Sequence, residues 1–256
     1  IPSDTFEFPY FAEMLVTYVE NGAYAPTNRS HEITTALVHA IQANGGDVWF
    51  NTEVKRILTK DGQAVGVQVG DDQIYGHQIV CDLVPHTVYA KMIDRAVVPE
   101  HALKLTNARQ LGTSGYLVYL GLNKSPEELG IKDYSVFISS TGDSRTQYER
   151  MNTLDKNDFM IMNCLNIAVP GCPPAGTSLL YATQLYRDGS WDQVTAENYD
   201  EVKDKIARRV IKQYEDATGI KISDAVEEVA IATPETFARY MRTPNGDIYG
   251  YYGKKW

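Results

Sequence analysis

Residues 25–58 read APTNRSHEITTALVHAIQANGGDVWFNTEVKRIL. Pro26 opens a turn. Ser30 follows as a helix N-cap, since its hydroxyl can accept a bond from an orphan backbone N–H of the first turn. Ile33, Ala36, Leu37, Ala40 and Ile41 then recur at helical spacing, giving one apolar stripe. Gly45 or Gly46 can take the left-handed conformation that stops a helix and turns the chain. Beyond it, Val48 and Phe50 alternate with polar neighbours, and Val54 and Ile57 begin another extended run. The turn signal KDGQ (60–63), the strand AVGVQV (64–69), the turn GDDQ (70–73) and the run IYGHQIVCDL (74–83) continue the pattern. The spacing predicts a helix feeding a compact β-meander.

Upstream, Tyr10 to Val19 reads as a helix, with Pro9 near its start, Phe11, Leu15, Tyr18 and Val19 on one face, and Gly22 as its stop. Downstream, PHTVYAKMID reads as a short helix with Pro85 at its first position. GYLVYLGL (115–122), SVFISS (135–140), FMIMNCLNIAV (159–169) and SLLYATQLY (178–186) read as strands rich in β-branched and aromatic residues. From Tyr199 to about Ala217 a helix carries Val202, Ile206, Val210, Tyr214 and Ala217 on one stripe, ending at Gly219. AVEEVAIA (225–232) is a strand, and TPETFARYM (233–241) is a helix capped by Thr233 with Pro234 in its first turn. The fold class is α+β: a small α/β-type portion, then a mixed, largely antiparallel sheet with helices on one face.

Composition sets the bounds. A chain of 256 residues with 43% hydrophobic and 22% charged residues can bury a full core. The net charge of −9, with basic residues scattered, argues against a nucleic-acid partner, because phosphate binding needs clustered Lys and Arg. No apolar run approaches bilayer length and no signal-like start is present, so a cytoplasmic protein is expected. Cys81, Cys164 and Cys172 have no metal-ligand spacing, and no metal site is expected. Seventeen tyrosines suit a wide cavity with polar edges, although most serve equally as ordinary core and boundary residues.

Familiar catalytic patterns are missing from the sequence. No G-x-G-x-x-G, P-loop, H-E-x-x-H or G-x-S-x-G occurs. His31 and Glu32 could form an acid/base pair, but a solvated first helical turn explains them more simply. RDGSWD (187–192) reads as a surface turn, and KDKIARR (203–209) as the solvated side of a helix. No catalytic residue is assignable from the residues alone.

The order of motifs supplies what the spacing does not. Gly22 and Tyr24, Pro26, the helix, Gly45-Gly46 with Val48, Asn51 to Ile57, Gly66 to Val69, and Ile79 to Asp82 resemble the middle of flavin-dependent, amine-oxidase-like proteins of the phytoene desaturase, carotenoid isomerase and retinol saturase group. PPAGTSLLYATQLY, the W-D that follows, the helix YDEVKDKI, TPETFARYM and NGDIYG continue the likeness. The chain departs from the group at Asn28 and Arg29, which stand where a pair of glycines precedes the helix. It also lacks the amino-terminal G-x-G-x-x-G and the carboxy-terminal glycine-rich segment.

The resemblance implies the internal portion of an FAD-dependent oxidoreductase acting by hydride transfer on an apolar, isoprenoid-like substrate, with FAD held by the complete protein and the chain alone inactive. It implies a substrate-domain segment at 1–25, a remnant of the FAD-binding domain at 26–90, a substrate domain at 91–235 and a return toward the FAD domain at 236–256. It places Val54, with Glu53, at the adenine end through main-chain contacts, Arg29 and Ser30 near a phosphate, and Tyr249 and Tyr251 toward the substrate. Its partners would be that substrate, the remaining flavin-domain portion, a membrane surface touched peripherally, and further copies of the chain. The other reading is a non-catalytic flavin-fold relic or partner subunit that binds an apolar ligand or another chain.

Overall fold

A computed structural model describes residues 2–4 and 6–252. The chain divides into two compact units, one of residues 1–34 and 112–249, the other of residues 35–111 and 250–256. Helix α1 (Phe8–Asn21) has Pro9 in its first turn, and the Gly22 N–H returns to the Tyr18 carbonyl at 3.0 Å. Helix α2 (His31–Ala43) starts directly after Ser30, and the division between the units falls within it. Neither helix buries a residue.

The smaller unit is the meander. Strands β1 (Val54–Lys60), β2 (Gln63–Val69) and β3 (Asp72–Tyr75) pair antiparallel in the order β1-β2-β3. Lys60 faces Gln63 across a two-residue turn whose Asp61 and Gly62 have φ of 50° and 75°, the left-handed pair that matches strand twist. Gly66 lies close against β3: a Cβ there would lie 2.4 Å from the Ile74 carbonyl oxygen. Ile57 packs with Val88 and Met92 from the turns after helix α3 (Pro85–Thr87), and Val54, Tyr89 and Ile93 lean on that cluster. Helix α4 (Glu100–Ala108), which the sequence pattern did not reveal, follows.

Two expected strands are absent here. Residues 47–53 do not pair; Asn51 has φ of 53°, which breaks the extended run, and Trp49 and Phe50 stay exposed. Within IYGHQIVCDL only the start, in β3, joins the ladder, and Val80 is 95% exposed. Alternating residues make a strand only when another strand supplies hydrogen bonds.

The larger unit is built on β4 (Thr113–Leu122), β5 (Ser135–Ile138), β6 (Met160–Cys164), β7 (Ser178–Arg187) and β8 (Val226–Ala232), all antiparallel, in the order β5-β6-β7-β4-β8. Strands β4 and β7 pair over their whole lengths, from Thr113 opposite Arg187 to Leu122 opposite Ser178. Because side chains alternate across a strand, Tyr116, Val118, Leu120 and Leu122 share one face with Leu180, Ala182 and Tyr186, all buried. Between the strands lie the short helices α5 (Pro126–Leu129), α6 (Ser144–Arg150) and α7 (Leu165–Ala168).

Helix α8 (Tyr199–Thr218) lays Ile206, Ala207, Val210 and Tyr214 on the buried face, each large apolar side chain contributing about 1.5–3 kcal/mol. Trp191 joins this core, stacked on Tyr116 at 5.8 Å, and Ser190 is buried too, so RDGSWD is a surface turn only at Asp188, Gly189 and Asp192. The expected strand 159–169 stops at Cys164. There Asn166 takes over the pairing: its amide donates to the Thr177 carbonyl at 2.9 Å and its oxygen accepts from the Leu179 N–H at 2.9 Å, while the backbone coils into α7. Helix α9 (Pro234–Met241) is capped by Thr233, and its Phe237 reaches Gly115 on the face opposite α8. Helices therefore touch both faces of this sheet, where one was expected.

Candidate functional site

The face of the five-stranded sheet turned away from α8 is the first candidate. Register places Tyr119, Tyr181, Asn163 and Ser135 side by side across β4, β7, β6 and β5. Leu117, Leu179, Ile161 and Phe137 flank that row, and at one end Phe237 and Ile248 close over Gly115. Elsewhere the face is accessible: Phe137 is 67% and Tyr119 38% exposed. Such a surface is largely apolar in body, with its tyrosines and Asn163 in one row and Thr183 in the next, between Leu117 and Ile161.

The tyrosines of that row interact with each other and with Tyr134, the residue before β5. The Tyr134 and Tyr181 hydroxyls lie 3.1 Å apart, and the Tyr119 and Tyr181 rings are 6.1 Å apart. Burial raises the Tyr181 pKa, and the hydrogen bond with Tyr134 raises it further. Burial also raises Tyr119. These phenols therefore stay protonated across the physiological range and act as hydrogen-bond donors. Residue-by-residue reading had not singled out Tyr119, Tyr134, Tyr181 or Asn163. The signal was present in the two-residue period of GYLVYLGL and SLLYATQLY, which puts Tyr119 and Tyr181 opposite the core face.

In the smaller unit, β1 is an edge strand: β2 is its partner on one side, and among the described residues no strand pairs with the other. Alternate residues of such an edge present an N–H and a C=O outward together. Val54 stands at the head of β1, half-buried and opposite Val69, and the register shifts between Val54 and Arg56. Glu53 is tied up in an ion pair with Lys55. Beside the strand is a cavity of about 290 Å³ lined by Ile57, Ala64, Ile79, Leu83, Val88 and Ile93, among others. A second, of about 540 Å³, has His86, Tyr89, Arg95 and Glu100 on its wall.

Tyr251 belongs to this unit. Its hydroxyl lies 2.5 Å from His86 Nδ1, the Arg109 guanidinium sits 5.4 Å from its ring centre, and its backbone bridges to Leu111. Tyr249 belongs to the larger unit, is exposed, and donates its N–H to Asp247 at 2.9 Å. Arg29 and Ser30 also belong to the larger unit and are exposed. Arg29 has φ of 77°, the left-handed conformation that favours glycine. Burial raises the Cys172 thiol, and the charge of Arg29 offsets part of that rise. Among the described residues, no group of three or more His, Cys, Asp or Glu side chains could hold a metal ion.

No family model matches the chain. It is 25% identical over 258 residues to all-trans-retinol 13,14-reductase of Danio rerio, covering 93% of this chain and 42% of that protein. It is 24% identical over 184 residues to 4,4'-diapophytoene desaturase (4,4'-diapolycopene-forming) of Methylomonas sp, covering 69% of this chain and 34% of the relative. The chain is similar to the phytoene desaturase, carotenoid isomerase and retinol saturase group. It spans about two fifths of the retinol reductase and about a third of the desaturase. A crystal structure of an oxidoreductase from Methanosarcina mazei shares the fold, with a TM-score of 0.50 at 16% identity over 79% of this chain and 42% of that one. The likeness to the group runs through both units, since the retinol reductase match covers nearly all of the chain.

Proposed function

We propose that the chain supplies the ligand-facing sheet and the β-meander of an FAD-dependent oxidoreductase, a desaturase, saturase or isomerase acting on an apolar, isoprenoid-like substrate. The accessible, aromatic and aliphatic face of the five-stranded sheet carries this reading. The names of the relatives, a retinol reductase and a diapophytoene desaturase, agree in substrate class. Bound FAD would supply hydride acceptance or donation at its isoalloxazine ring. The residues of this chain would bind and orient: the sheet face excludes water from an extended apolar ligand, and its tyrosines remain protonated donors.

The edge of β1 fits the adenine end of such a cofactor, because an edge strand can offer a donor and an acceptor from one residue. Val54 is the residue proposed for that contact, with Glu53 beside it, and Arg29 and Ser30 toward a phosphate. The pyrophosphate end lacks its usual seat here, because no G-x-G-x-x-G turn occurs in the sequence. Tyr249 and Tyr251 are proposed on the substrate side. In domain terms, residues 26–90 take the flavin side, residues 1–25 and 91–235 the substrate side, and 236–256 return to the flavin. No helix among the described residues is long and apolar enough to cross a membrane; the cytoplasm is the proposed compartment.

Titration of free FAD with the protein, followed by flavin fluorescence, tests the cofactor part. Saturable quenching that weakens at least several-fold in Val54→Pro, which removes a main-chain N–H from the strand head, supports it. Quenching by protein from the complete reading frame that is absent, or that ignores Val54→Pro, contradicts it. The non-catalytic reading has one observation in its favour, the unburied apolar side chains of α1, where Val19 is 78% exposed and Phe8 74%.

A further inference from the structure

The polar row on the open sheet face holds more hydrogen-bonding capacity than the chain uses. The Tyr134 and Tyr181 hydroxyls face each other at 3.1 Å, and among the described residues neither has another partner. Two hydroxyls carry two protons, and one bond between them uses one. The second proton is left to whatever lies over the sheet. Asn163 stands in the same row, opposite Ser135 on one side and Tyr181 on the other. It is only 8% exposed, yet its side-chain amide has no hydrogen-bond partner among the described residues. That amide brings two further donors and an acceptor.

Around this row the face is apolar except at Thr183: Leu179 and Ile161 are half-buried, and Phe137 presents its ring. A pure hydrocarbon laid over it would strip water from the tyrosine donor and the amide and return nothing. Each buried donor left unsatisfied costs about tenfold in affinity. A ligand that brings an oxygen to this point keeps the apolar contact and satisfies the row.

We infer that Tyr134, Tyr181 and Asn163 form an oxygen-recognition subsite, so that the ligand of this face is an isoprenoid chain bearing an alcohol or carbonyl rather than an unsubstituted hydrocarbon. The tyrosine pair donates its free O–H to the ligand oxygen, and the Asn163 amide provides the second contact. The inference rests on the apolar-ligand reading above and narrows it. All three residues position the ligand through binding and are not assigned a chemical step.

Equilibrium dialysis in dilute non-ionic detergent tests it, with geranylgeraniol and the hydrocarbon of the same carbon skeleton as the two probes. The chain is expected to bind the alcohol about tenfold more tightly than the hydrocarbon. In the Tyr134→Phe/Tyr181→Phe double variant, and in Asn163→Leu, that preference falls toward one while hydrocarbon affinity is retained or rises. Retained hydrocarbon affinity shows that the sheet is intact, and a merely structural role would lower both probes together. Equal affinity of the unaltered chain for the two probes, or a preference that survives the double substitution, overturns the subsite and leaves the apolar-ligand reading standing. Binding of neither probe overturns both.

Discussion

At the scale of single residues, the clearest device is Glu215, near the end of α8. Its carboxylate accepts from the backbone N–H groups of Ile222 and Ser223, both at 2.8 Å, and Lys221 lies 3.5 Å away. Burial pushes the carboxyl up, but the Ser223 and Ile222 N–H groups and Lys221 outweigh it and bring the pKa down to about 2 from an ordinary 4.5. A depressed carboxyl contributes stability in full above pH 4.5, and that contribution drains away as the pH falls through about 2. Glu215→Gln is expected to lose roughly 1–3 kcal/mol at neutral pH and to flatten the acid limb of the stability curve; denaturant unfolding from neutral pH down to pH 2 would check both. Gly66 offers a second test. Its missing Cβ leaves room for the Ile74 carbonyl, so Gly66→Ala should open the β2–β3 pairing and speed amide exchange at Gly66 and Ile74, while exchange in the larger unit stays unchanged. Function at this scale was poorly legible in the sequence. Tyr134 and Tyr181 lie 47 positions apart, and only the pairing of β5, β6 and β7 brings their hydroxyls together.

Elements were read more easily where their determinants are local. Helix α8 was legible because its apolar stripe, its start at Tyr199 and its glycine stop at Gly219 all sit within one stretch. Helix α9 was legible for the same reason: Thr233 and Thr236 form the reciprocal cap at its start, with Pro234 at the first position. Thr233→Ala is expected to cost about 1 kcal/mol, read as a drop in denaturant midpoint, with some further loss because the Thr233 hydroxyl also meets Tyr199 at 2.9 Å. Helix α9 is tied to the following turn by Gly246, whose φ is 68° and where a Cβ would lie 2.1 Å from the Pro234 carbonyl oxygen. The failures were non-local. Val48 to Phe50 and Ile79 to Asp82 alternate like strands but have no pairing partner among the described residues, and α7 replaces a strand end because a side chain of Asn166 performs the pairing. Such outcomes depend on residues outside the segment being read.

At the scale of the whole molecule, composition pointed to a chain with a substantial core, the order of predicted elements to the α+β class, and motif order to the group to which the relatives are similar. The division into two units was not legible from periodicity, because residues 250–252 cluster with residues 35–111 across a long intervening stretch. Many apolar side chains of α1 remain exposed, among them Phe8, Leu15 and Val19. The chain is therefore expected to self-associate in dilute buffer, and sedimentation velocity of Leu15→Ser/Val19→Ser should show a shift toward monomer. The most direct check on the central claim is the visible absorption spectrum of protein purified from the complete reading frame, before and after addition of dithionite. A yellow protein whose flavin band bleaches on reduction is the predicted result; a colourless protein that gains no such band when incubated with FAD would contradict the account.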